Sequence, residues 1–207
     1  MNRIEIRREK IRDDLTLDVF YIDGKPLYEY FREWECGVDL VELLAITWTD
    51  RYDFEFDADF MRYCLDKDHA NVPILSCPDD FDFTCTVIVA EVEKRDDKVI
   101  WHRIGIVDNS AWSFEDERRS GVLLTSSYTD ADWERFGDTF VNADLDNEDF
   151  RRFESEHGVE EMYRRRINHT FPYYRDERNI RWFSKCSFEF SSDQYDKLVK
   201  SCYSGDR

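Results

Sequence analysis

Glycine and proline are scarce in this chain, with seven and four in 207 residues. So few glycines leave little room for a cofactor-binding loop. Neither the dinucleotide fingerprint G-x-G-x-x-G nor the phosphate loop G-x-x-x-x-G-K-[ST] occurs. The nucleophile elbow G-x-S-x-G and the zinc helix H-E-x-x-H are missing too. The six cysteines include no C-x-x-C pair, and no stretch approaches the ~20 apolar residues of a membrane span. The opening MNRIEIRREKIRDD has no apolar signal core. A cytoplasmic location is therefore expected, with the thiols reduced and buried as small hydrophobes. These absences set aside motif-marked chemistry but leave room for an enzyme whose catalytic residues are scattered.

What the chain has is acid. Forty-seven Asp and Glu stand against 29 Lys and Arg, for a formal net charge of -18. Such a surface repels nucleic-acid backbones and anionic membranes and attracts basic proteins. Aromatics make up 16% of the residues, ample for a core. A chain of this length buries roughly 70% of its unfolded surface and needs no disulfide or metal staple. It is read as a single domain, 1–207, with any subdivision falling near residue 110.

Periodicity divides the chain into strands and helices. Residues 3–8 and 15–23 read as strands, the second closed by Asp23-Gly24 turn chemistry. Pro26 suits a first helical turn, and Leu27, Tyr30, Phe31 and Trp34 make an amphipathic stripe stopped by Gly37. DLVELLAITW, residues 39–48, suits a buried helix or a strand by its apolar run and is read as helix. Asp57 would cap a helix with inner residues Phe60, Met61, Cys64 and Leu65. Strands are expected over 72–77, 83–94, 98–107 and 180–190, with helices at 147–157 and 159–168. A capping-box pair, Ser191 and Gln194, precedes a C-terminal helix bearing Tyr195, Leu198, Val199 and Cys202. Strands and helices do not alternate regularly, so the fold class is α+β, an antiparallel β-meander with packed helices.

The stretch CPDDFDFTCTVIVAEVEKRDDKVIWHRIGIV, residues 77–107, is the most chemical in appearance. A loop centred on Asp96-Asp97 sets Val87 opposite Ile106, Val89 opposite Ile104, Ile88 opposite Gly105, Val92 opposite Trp101 and Glu91 opposite His102. Glu91 and His102 are thus the candidate acid-base pair, although no nucleophile lies near them in sequence. Cys77 and Cys85 are eight apart, too far for a zinc knuckle, and PDDFDF lacks the glycine and terminal Glu of a calcium loop. Glu154-Ser-Glu-His157 has ligand spacing but no second copy. No metal and no cofactor are expected. Arginines interleave with aromatics over 162–183, a pattern that can bind single strands by stacking. Glu160 with Arg164 and Glu161 with Arg165 offer an internal use for that charge.

Asp23-Gly24-Lys25-Pro26-Leu27, Val72 to Pro78, Cys85 to Glu93 and Val99 to Gly105 have the form strand, DGxxL, helix, VPLLxCP, alternating strand, VxWxRIG. Over residues 15–107 the chain resembles immunity-like proteins of bacterial polymorphic toxin systems. The resemblance implies a protein that neutralises a basic partner, such as a toxin domain, by binding rather than by chemistry. A related CPxCG version would carry metal, but Asp79 to Phe81 replace its second cysteine and glycine. The carboxylates expected to meet the partner are Asp50, Asp53, Glu55, Asp57, Asp59, Asp144, Asp146, Glu148 and Asp149. The alternatives are a defence or regulatory protein that mimics DNA with its acids, and an enzyme built around Glu91 and His102. No nucleic-acid or membrane partner is expected.

Overall fold

The computed structural model describes residues 1–38, 41–49, 55–78, 86–108, 155–156, 179–183 and 187–203. The chain divides into two compact units. One is Met1–Val107 with Ile180–Arg207, and the other is Asp108–Asn179. In the second unit, residues 155–156 are helical. The rest of the helices expected at 147–157 and 159–168 lies outside the described residues.

The first unit is α+β with antiparallel sheets. β1 (Ile4–Arg12), β2 (Leu15–Ile22) and β3 (Lys25–Pro26) form a three-stranded sheet in that order. The second sheet runs β4 (Ala45–Ile46), β5 (His69–Ser76), β6 (Val87–Arg95), β7 (Lys98–Val107) and β8 (Ile180–Trp182), with β9 (Phe188–Ser191) also on β7. The described helices are α1 (Leu27–Glu33), α2 (Glu55–Asp66) and α3 (Ser192–Tyr203).

Turn chemistry sets the first sheet. Ile22 pairs with Lys25 across Asp23-Gly24, whose φ values are 52° and 80°. Two positive φ values are what a two-residue hairpin turn matching the strand twist requires. Leu27 and Phe31 form the buried side of α1. That helix ends earlier than Gly37. Cys36 N–H donates to Phe31 and Glu35 N–H to Arg32, a Schellman closure with Glu35 at φ 50° where glycine is usual. Gly37 is also left-handed, at φ 63°, but lies beyond the cap.

An asparagine near the start of the chain ties the two sheets together. The Asn2 side chain donates to Asp23 at 2.6 Å and accepts from the Glu189 N–H at 2.9 Å. Arg3 N–H donates to the other Asp23 oxygen at 2.7 Å. These donors, the Arg3 amide first, hold the Asp23 carboxyl below its ordinary range.

Between the sheets lies an aromatic core. Phe20 of β2 meets Trp48 edge-on at 4.8 Å and Trp101 of β7 at 5.9 Å. Tyr195 of α3 packs on Trp48 at 5.2 Å, and Phe190 of β9 on Trp101 at 5.3 Å. The Trp101 indole N–H donates to the Tyr195 hydroxyl at 3.3 Å. Burial pushes the Tyr195 phenol well above its ordinary range. The indole N–H of Trp48 is buried with no hydrogen-bond partner among the described residues.

Four expectations are corrected by this packing. Residues 41–48 are not a helix. A single 3-10 turn, Val41–Leu43, leads into β4, because Ala45 and Ile46 pair with Ser76 and Leu75 of β5. Asp57 falls inside α2, which already begins at Glu55, rather than at its N-cap position, although Met61, Cys64 and Leu65 are buried as expected. Gln194 does not reach back to close a capping box. Its amide donates to the Ile4 carbonyl at 2.9 Å and docks α3 on β1. The expected strand 180–190 is two pieces, β8 and β9, lying along one edge of β7 with different registers.

Cys36, Cys64, Cys77 and Cys202 carry thiols rather than disulfides, and all but Cys77 are buried. Burial raises the Cys36 thiol to about 11 and the Cys64 thiol further. Among the described residues no helix is long and apolar enough to cross a membrane.

Candidate functional site: the outer face of the hairpin

β6 and β7 are joined by the two-residue turn Asp96-Asp97, with Arg95 paired to Lys98. The expected register holds as far as Val92 opposite Trp101. There it breaks. A bulge absorbs His102, and beyond it Glu91 pairs with Arg103, Ala90 with Ile104, Val89 with Gly105 and Ile88 with Ile106. Glu91 and His102 are therefore not cross-strand partners, and Val89 does not face Ile104. The bulge has a physical cause in the sequence Trp101-His102-Arg103-Ile104. Trp101 and Ile104 are both wholly buried, a spacing of three that strict alternation cannot satisfy. An extra residue lets His102 and Arg103 share the outer face while both apolar neighbours turn inward.

The outer face carries two ion-pair groups. In the first, Arg103 Nε donates to Glu91 Oε2 at 2.6 Å, and His69 of β5 meets Glu91 Oε1 at 3.2 Å. The Arg103 guanidinium also lies 4.0 Å from the centre of the Trp182 ring on β8. In the second, His102 Nε2 lies 2.6 Å from Glu93 Oε2, while Arg95 Nε donates to Glu93 Oε1. The Arg95 hydrogen bond first, and then His102, hold the Glu93 carboxyl below its ordinary range. His69 and Arg95 are 61% and 63% exposed, so solvent screens both pairs strongly.

Gly105 makes this face possible. A Cβ there would stand 2.7 Å from Ile180 Cγ2, 2.8 Å from Trp182 Cε3 and 2.9 Å from the Arg181 carbonyl. The missing side chain lets β8 close on β7 and brings Trp182 under Arg103. The sequence showed the glycine but not this use of it. The signal was its place within a strand, which often marks close approach of another backbone.

Among the described residues neither imidazole contacts a hydroxyl or thiol. Each carboxylate is instead held by one arginine and one imidazole, an arrangement that ties strands together. No group of three or more His, Cys, Asp or Glu among the described residues could hold a metal. The acidic PDDFDF segment falls in the β5–β6 connection, where Cys77 N–H bonds the Thr86 carbonyl at 3.1 Å. Of the carboxylates expected to meet a partner, Glu55, Asp57 and Asp59 fall in the first turns of α2. Asp50, Asp53, Asp144, Asp146, Glu148 and Asp149 lie outside the described residues. Most of the basic segment 162–183 does too. Of its described part, Arg181 donates to the Cys36 carbonyl at 2.9 Å.

Comparison with protein-family models, with curated proteins and with solved structures finds no match.

Proposed function

We propose that this is a non-catalytic acidic binding protein, immunity-like in role, that masks a basic protein partner such as a toxin domain. The observation that carries the reading is the net charge of -18. The outer face of the hairpin adds little to that excess, because Glu91 and Glu93 are each paired with an arginine and an imidazole. Residues 108–179 hold 18 acidic against 10 basic residues and include Asp144, Asp146, Glu148 and Asp149. A field of this sign accelerates the approach of a cation-rich surface, while aromatic side chains beside the contact supply anchoring energy.

The test is affinity capture followed by identification of what is held. A nuclease-resistant complex with one basic protein, lost when Asp144, Asp146, Glu148 and Asp149 are reversed to Lys together, supports the reading. Retention of nucleic acid in place of a protein contradicts it.

A further inference from the structure

We draw no further inference here: the strongest candidate, the outer edge of β1, which pairs with no other strand among the described residues and carries Arg7, Arg8, Lys10 and Arg12, supports no proposal because those cations are already paired with Glu5, Asp18, Asp13 and Asp14 and nothing in the structure shows what covers the edge.

Discussion

Replacing Gly105 with Ala tests the construction of the hairpin face, because two opposed effects give it a diagnostic sign. Where the backbone tolerates it, Gly→Ala stabilises by about 0.4–1 kcal/mol through the unfolded chain. At Gly105 the new methyl would meet three atoms at 2.7, 2.8 and 2.9 Å. Carbon contacts are relaxed at about 3.5–4.0 Å, so those to Ile180 and Trp182 must open by roughly 0.7 Å or more. One of the three is the Arg181 backbone carbonyl, and Arg181 is paired to Ile106 within the ladder. Relief therefore means lifting β8 from β7 or turning Trp182 away from Arg103. Overpacking of this kind costs about 1–3 kcal/mol, and the clash wins. Offset by the unfolded-chain gain, the expected net loss is about 1.3 kcal/mol. With an m-value of about 2 kcal/mol per M, the urea midpoint falls by about 0.6 M. Adding Trp182→Ala removes one of the three contacts, so a double-mutant cycle should return a coupling of at least about 0.5 kcal/mol. A midpoint unchanged or raised by Gly105→Ala would refute the steric argument.

Glu35→Gly relieves a left-handed backbone at an exposed position and should raise stability by about 1 kcal/mol, read as a higher denaturation midpoint. A lower midpoint would mean that the Schellman closure does not form. Tyr195→Phe strips the acceptor from the buried Trp101 N–H and should cost about 1–2 kcal/mol in the same assay, whereas a neutral result would remove that bond from the account. The Glu93 carboxyl, followed by NMR, should titrate below the ordinary range. Arg95→Gln should move it upward more than His102→Gln, and no response to Arg95→Gln would contradict the assignment. Because the folded value is lowered, the stabilisation is present above the ordinary carboxylate pKa and is lost as pH falls through the lowered one.

Local chemistry made much of the fold legible. Asp23-Gly24 announced the turn that ends β2, the Leu27–Phe31 spacing announced α1, and β7 occupies the expected 98–107. What sequence reasoning missed depends on partners far along the chain. The Ala45–Ile46 segment has an apolar run that suits helix or strand, and pairing with β5 decides it. Ser191 and Gln194 fit a cap by spacing, but the Ile4 carbonyl takes the Gln194 amide. Asn2 carries no pattern that would reveal its bonds to Asp23 and Glu189. At the candidate site the residue types were read correctly and the partners were not. Counting inward from the turn assumes an unbroken ladder, and one bulge moved His102 from Glu91 to Glu93. Adjacent polar residues between two buried ones were the available sign.

The association rate with the captured partner, measured by stopped-flow across a salt series, tests the proposed masking role. Steering by a net charge of -18 predicts a rate that falls steeply with salt, since exposed charges are screened beyond about 8 Å at physiological ionic strength. Reversing Asp144, Asp146, Glu148 and Asp149 together should lower that rate more than it raises the dissociation rate. Reversing Asp13 and Asp14, each already beside a cation in the β1–β2 hairpin, should do less. An association rate indifferent to salt, or unchanged by the fourfold reversal, would contradict the account.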